Sequence, residues 1–592
     1  MATSQAGEAL GTNFGSDGFP IEWQEGEKEL FWILDDLHCP NPVSPLFFDI
    51  GGWWLTCDHM FRRFGTPFAV DWLAKNVNGY VYTTAVPADP SVRIEGTEYS
   101  SRYGARVPLD PAYSERIGTY LDAVLPVYGD HFADWWRDRL VPEMERNFAF
   151  LESQLDGQDE MGLMELAVLL EDAIDIHDRH WKIHWMLNFA QLSATLKLRE
   201  IMTRVRGAAD DALLGRLQNS ADDRNWDSIR ALWEMKEEAK ADADLSAAFR
   251  HDSAADILAA LGETDRGRRF VRERIGPYQK EFGWHAVWSH EFVYPTVFEK
   301  PDAVIELVRG YLDSDYEYPA TMGALKADIE AASREVLEGL EGEALEDMRR
   351  ANDTNRRMAP LTPDHHFYID QGANAHVRLV LIAIGRKLVA AGAIDEPDDV
   401  IFLRYNELRV LMADSAAGDV RGVIAERRAD RRRSEALRPP AWIGTATESQ
   451  LAFPYLVNWG FPEKFHRGRA ERSATVEGIG GSPGVIEGIA RVVLREEQFD
   501  EVRSGDILVC HMTNPAWVVL FTKIAGLVTN AGGLTAHPAV LSREFGIPAV
   551  VGTQDATSRI TTGDRIRVDG SSGVVEILDA AATQPASDLF TV

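Results

Sequence analysis

From Val528 to Gly552 the chain reads VTNAGGLTAHPAVLSREFGIPAVVG, an order of residues that few folds accommodate. The apolar runs KIAGLVTN and AVVG have the length and composition of strands, and PAVLSREF between them has helical spacing. Pro538 suits the first helical position, where its missing N–H would have had no partner. Gly546 suits the left-handed residue past the last turn, and Pro548 blocks continuation. The stretch is therefore predicted to be strand, glycine-opened loop, short helix and strand. His537 falls at the N-cap, beside free amide groups and the positive end of the helix dipole, a setting that favours an anion. A neutral imidazole there can act as a nucleophile toward phosphorus. Gly532 and Gly533 let the backbone approach phosphate oxygens, and Thr535 can donate a hydroxyl hydrogen bond. Taken by itself, a histidine at a helix start is more often a cap without chemistry.

The segment sits in a region of its own kind. Short β-branched runs (ARVVL, DILVC, GLVT, AVVG, DRIRVDG, GVVEIL) alternate with turns over the last hundred residues, which predicts a separate β-rich α/β domain over 475–580 with a tail over 581–592. Upstream the period changes. From about Pro111 apolar residues recur at three and four, and no strand–helix alternation suggests a parallel sheet, so residues 1–425 read as a mainly helical domain. Its first 105 residues are mixed and irregular apart from a strand-like GYVYTTAVPA, and ERRADRRRSEALRPPAWIGTATESQ, within 426–474, reads as an exposed helix end leading into a linker. At 592 residues the chain exceeds one core, which agrees with a multi-domain α+β protein.

Charge narrows the partners. With 93 acidic against 61 basic residues the net charge of -32 repels nucleic acid and anionic membranes, so any phosphate must be met by a local arrangement. The opening residues have no basic-then-apolar leader and no long apolar run follows, giving the expectation of a cytoplasmic enzyme. Cys39, Cys57 and Cys510 are too few and scattered for a disulfide framework.

The AGGLTAH loop with its SREFGIPAVVG continuation resembles the phosphohistidine signature of the swivelling domain in phosphoenolpyruvate synthase and pyruvate phosphate dikinase. GIGGSPGVIEGIARVVL and GDILVCHMTNPAWVVLFTKIAGLVTN, with Thr513, Asn514 and Pro515, extend the likeness over the whole domain. The resemblance implies that His537 accepts a phosphoryl group at one station and that the domain swings to deliver it at another. Neither a P-loop nor an ATP-grasp lid is found upstream and no phosphoenolpyruvate-binding barrel is expected downstream, so the donor is expected on a separate ATP-grasp subunit that also holds ATP and Mg2+. The only covalent group expected on this chain is phosphate on His537.

LHCPNPVSPLFFDI, FGWHAVWSHEFVYPTVFEKPDAV and HHFYIDQGANAHVRLVLIAIGRKLVAAGAIDEPDDVIFLRYNEL resemble, more weakly, the helical substrate-binding part of rifampin phosphotransferase and of two-component aryl or benzyl phosphate synthases. The latter phosphorylate phenolic or benzylic hydroxyls, which implies a small aromatic alcohol or phenol as acceptor. Arg378 lies in a nearly apolar helix, where it either makes a structural ion pair or, as the resemblance implies, steadies a phosphoryl group. DIHDRHWKIHW places His177, His180 and His184 on one helical face, to be packed, to line a pocket as a base, or to bind metal through the His180–His184 pair. His285, His290, Glu291, His365, His366, Tyr368 and Asp370 are further acid–base candidates that sequence does not rank. Two other functions stay open: a phosphocarrier or regulatory subunit, and an antibiotic-inactivating phosphotransferase of the rifampin type.

Overall fold

A computed structural model describes residues 9–57, 59–60, 63, 69–87, 111–286, 288–300, 302–312, 316–452, 461–466, 475–494, 496–513, 517–532, 537–553 and 555–579. The chain forms two compact units: 1–198 with 284–295 and 353–470, and 199–283 with 296–352 and 471–592. The helical block thus contributes to both units.

The first unit is built on an antiparallel sheet of five strands, β1 (Ala9–Asn13), β2 (Phe31–Leu34), β3 (Ala69–Val77), β4 (Tyr80–Pro87) and β5 (Trp442–Thr447), ordered β1-β5-β2-β4-β3. β3 and β4 join through Asn78-Gly79, both at positive φ (51° and 85°), the two-residue hairpin turn for which Asn-Gly is the preferred pair. Two expectations are corrected here. The entry region supplies four strands, β4 within the strand-like GYVYTTAVPA and three more where irregular chain was expected, and the 426–474 stretch supplies β5 between β1 and β2 rather than only a linker. β5 pairs with strands some 400 residues earlier, a partnership that local periodicity cannot show. Gly444 makes it fit: at φ +91°, a Cβ there would meet the Leu30 carbonyl oxygen at 2.0 Å.

The arginine run is also less exposed than expected. On the Arg421–Ser434 helix, Arg427 pairs with Glu407 at 2.6 Å, Arg428 with Asp399 at 2.9 Å, and Arg431 with the buried Glu291 at 3.1 Å. Each guanidinium is thereby matched to a carboxylate of the same unit.

The helices that bear on function in this unit are Val141–Leu155, the long Leu163–Arg206 helix as far as residue 198, and Leu361–Ala390. The last is not uniform. Between α-helical ends it widens to a π-helix over His366–Ala373, a geometry that occurs mostly as short insertions and often at functional sites.

The second unit carries an eight-stranded mixed sheet, β6 (Thr475–Glu477), β7 (Ile479–Ser482), β8 (Val485–Val492), β9 (Ile507–Cys510), β10 (Gly526–Thr529), β11 (Ala549–Val551), β12 (Arg565–Asp569) and β13 (Val574–Asp579). β8, β9, β10 and β11 run parallel, and antiparallel strands flank them in the order β6-β13-β12-β8-β9-β10-β11-β7. Val509, Val528, Val550, Ile566 and Val568, all fully buried, belong to its apolar core. Helices of residues 211–352 complete the unit, and Phe545 lies among Trp226, Tyr316 and Phe521 with ring centroids 5.4 to 5.7 Å away.

Candidate functional site

The predicted strand–loop–helix–strand stands. β10 and β11 pair in parallel with Leu527 opposite Ala549 and Val528 opposite Val550, joined through the helix His537–Phe545. Gly546 ends that helix at φ +67°, as its left-handed position requires. His537 opens the helix, one residue later in role than the N-cap expected; its backbone is described and its side chain is not. Gly533, Thr535, Asn514 and Pro515 lie outside the described residues. Gly532 is described at φ +119°, and a Cβ on Gly552 (φ +66°) would meet its carbonyl oxygen at 2.7 Å.

The root of the loop is braced by side chains. The Asn530 amide donates to His511 Nδ1 and to Thr557 Oγ1, both at 2.7 Å, and accepts from the Thr557 backbone N–H. Thr529 Oγ1 donates to the Ala531 carbonyl at 2.7 Å. Such bonds hold the turn that follows β10 at the carboxyl ends of the parallel strands, where open α/β sheets place their ligands.

The second constellation lies in the first unit. His184, on the long helix, brings its ring within 4.9 Å of His365 and of Trp181. His365 Nε2 is 3.9 Å from Asp370 Oδ2, and His290 Nε2 is 3.9 Å from Asp370 Oδ1. His366 Nδ1 engages Asp370 Oδ2 directly. The π-helical stretch and the residue before it thus turn His365, His366 and Asp370 toward one centre. His38 joins them, with its ring 5.2 Å from that of His290 and its Nδ1 2.9 Å from Asp35, a carboxylate that also accepts from Trp53 Nε1 at 2.6 Å.

Burial sets the protonation states. It lowers His290 to about 4 and His365 to about 3 and takes His184 well below the ordinary value, with charge among the neighbouring histidines adding to the effect. Burial opposes the charge on Asp370, but His366, His365 and His290 outweigh it and hold the carboxyl well below the usual range. Burial thus disfavours the charged form of His184, His290 and His365 beside the Asp370 carboxylate. With Nδ1–H donated to Asp370, Nε2 of His366 is the basic nitrogen, the arrangement of a general base oriented by a carboxylate.

The remaining candidates are placed differently. His177 Nε2 accepts from Trp181 Nε1 at 3.0 Å and lies 3.2 Å from Asn374 Oδ1, and His180 Nε2 lies 3.2 Å from the Asn147 amide, with burial lowering His180 to about 3. The packed reading therefore fits these two, while His184, of the pair whose spacing left a metal alternative open, groups instead with His365 and Asp370, whose side-chain ligand atoms lie within 4.8 Å of one another. The Tyr368 hydroxyl donates to Glu145 at 3.1 Å, and the His285 ring meets Phe367 edge-on at 5.9 Å. Arg378 Nη2 pairs with Asp398 at 2.8 Å and Nη1 donates to the Phe292 carbonyl, which is the ion-pair alternative of the two open for it. Sequence reasoning missed Asp35 and His38; the Asp-x-x-His spacing in DDLH was their signal, hidden in a turn-rich segment.

Residues 502–573 match the mobile domain of PEP-utilising enzymes. Over those residues the chain is similar to that mobile domain. The match encloses the β10–helix–β11 crossover and His537. Residues 184–362 match the fourth domain of rifampicin phosphotransferase. An uncharacterised phosphotransferase of Bacillus subtilis, YvkC, is 27% identical over 93% of this chain and 62% of its own length. Chondramide synthase of Chondromyces crocatus is 26% identical over 95% of this chain and 14% of its own, and rifampicin phosphotransferase of Streptomyces sviceus is 30% identical over 55% and 36%. The chain spans less than two thirds of the length of each of these relatives.

Proposed function

We propose that the chain is a phosphotransferase component in which His537 carries a phosphoryl group, derived from ATP on a separate ATP-grasp subunit that also holds Mg2+, to the hydroxyl of a phenolic or benzylic small molecule. The observation that carries this reading is the mobile-domain match around a helix that opens on His537. In the transfer the N–P bond of phosphohistidine breaks, the acceptor oxygen forms the new P–O bond, and the hydroxyl proton passes to Nε2 of His366. Asp370 stabilises the imidazolium that results. The aromatic walls of the cluster, Trp53 and Trp181, suit a planar acceptor.

Incubation of the chain with an ATP-grasp protein of its own organism, labelled ATP and a panel of phenols and benzyl alcohols tests this. Acid-labile label on wild type but not on His537→Ala, with a phosphorylated aromatic product, is expected. Label on the protein without any small-molecule product would favour a phosphocarrier instead, and normal labelling of His537→Ala would overturn the mechanism. The fourth-domain match over residues 184–362 supports a second reading, an antibiotic acceptor of the rifampin type, so a rifamycin belongs in the same panel.

A further inference from the structure

His184 Nδ1, His290 Nε2 and Asp370 Oδ1 are buried without a hydrogen-bond partner. Buried polar atoms in folded proteins are almost always paired, so three orphans on residues that meet one another need a common partner. Hydrogen bonds within the group do not supply it. The 3.9 Å separations of His290 Nε2 and His365 Nε2 from the Asp370 oxygens exceed hydrogen-bond reach. The separation of His290 Nε2 from Asp370 Oδ1 does match two ligands of one ion, which lie about 3 to 4 Å apart when each bond is about 2.0 to 2.2 Å.

We propose that His184, His365 and Asp370 hold a divalent first-row transition metal, with His290 facing the same centre. One atom from each of the three lies within 4.8 Å of the others, so closure onto an ion takes at most about 0.7 Å of movement by each ligand atom. Two imidazole nitrogens and a carboxylate oxygen, without thiolate, suit Zn2+, Mn2+ or Fe2+ and disfavour Mg2+ or Ca2+, which take oxygen ligands.

Groups behind the ligands are in place as well. The Asn188 amide is 2.9 Å from His184 Nε2; with its oxygen toward the ring it accepts Nε2–H and leaves the Nδ1 lone pair for the ion. His366 occupies the second oxygen of Asp370 and leaves Oδ1 to coordinate. Asp370 stands in the π-helical stretch, whose wide turn sets it beside His365. Resting on the reading of this cluster as the acceptor site, such an ion binds the acceptor oxygen and lowers the pKa of its proton.

The test reads metal, not transfer. Full-length chain purified from medium supplemented with zinc, manganese and iron is assayed for metal content by mass spectrometry. Chelator-treated chain is then titrated calorimetrically with Zn2+ and with Mn2+. About one ion per chain is expected, with affinity falling about 10- to 100-fold in Asn188→Ala and further in His184→Ala and His365→Ala. Circular dichroism establishes that each variant is folded, and the wild-type stoichiometry stands independently of any variant. A folded wild-type chain that takes up neither ion, or uptake that His184→Ala and His365→Ala leave unchanged, overturns the site. Metal bound at the expected stoichiometry with no product from any hydroxyl compound overturns the acceptor reading instead.

Discussion

The carbonyl oxygen of Gly532 lies 2.7 Å from the point where a Cβ on Gly552 would stand, so the loop that precedes His537 and the turn after β11 close on each other with room for hydrogen alone. Gly552 is also at φ +66°, which costs an L-residue about 1–2 kcal/mol. Gly552→Ala is expected to destabilise the domain by about 2–3 kcal/mol and to reduce phosphate incorporation at His537 even where the protein stays folded. Gly546→Ala is the control: its φ is +67° but nothing lies within 4 Å of the added methyl, so only the backbone cost of about 1 kcal/mol remains. Denaturant titration and labelling of both variants separate the contact from the dihedral.

Asp35 and His38 give the first unit a defined pH response. Burial would raise Asp35, yet the His38 charge and the hydrogen bonds from His38 and Trp53 bring it to about 2; burial would lower His38, yet Asp35 raises it. The depressed carboxylate stabilises the fold above its unfolded pKa near 3.8 and loses that contribution as pH falls toward about 2, a term of about 2 kcal/mol. The raised histidine contributes fully below its unfolded pKa near 6.5 and loses the contribution as pH rises through its higher folded value. Unfolding midpoints measured from pH 2 to 9 are expected to decline at both ends, with both declines weakened in Asp35→Asn. A flat profile in wild type would remove the pair from the account of stability.

Glu291 is buried and its carboxylate is fully engaged, accepting from Ser44 Oγ at 2.7 Å, from the Val293 N–H at 3.1 Å and from Arg431 at 3.1 Å. Arg431→Ala is expected to cost about 3–5 kcal/mol because a carboxylate is left buried without its cation. Arg431→Met with Glu291→Gln should recover much of that loss, since neither partner is then charged. Thermal unfolding of the single and double variants measures the coupling.

How much of this was legible beforehand depends on the distance between partners in the chain. The β10–helix–β11 crossover could be read because Pro538, Gly546 and Pro548 punctuate it within a dozen residues, and local rules governed the outcome. β5 could not, because the carbonyl that makes Gly444 necessary belongs to Leu30. The histidine cluster falls between these cases. Its residue types marked His184, His290 and Asp370 as candidates, but the π-helical widening that sets Asp370 beside His365 leaves no signature in apolar spacing, and His38 arrives from a turn segment nearly 150 residues before His184. Arg378 shows the converse: its apolar surroundings required a counter-charge, and Asp398, one turn-rich segment further on, supplies it.

Phe545, the last residue of the helix that His537 opens, stacks on Trp226 with ring centroids 5.7 Å apart and planes 22° from parallel. Tyr316 and Phe521 close around it, and two residues earlier Arg543 donates to Asn219 Oδ1 at 3.2 Å and to the Gly481 carbonyl at 2.9 Å. The carboxyl end of the His537–Phe545 helix is thus fastened to helices of the same unit, while its amino end carries His537. Phe545→Ala removes an aromatic side chain that is only partly buried, so the expected loss is about 1–3 kcal/mol. Faster amide exchange should follow in the His537–Phe545 helix and in the Arg224–Ala241 helix, and not in β12 or β13, whose pairing is untouched. Hydrogen-exchange mass spectrometry on folded wild type and variant decides this; a uniform increase across the unit would mean that the contact supports the whole fold rather than the seating of this helix.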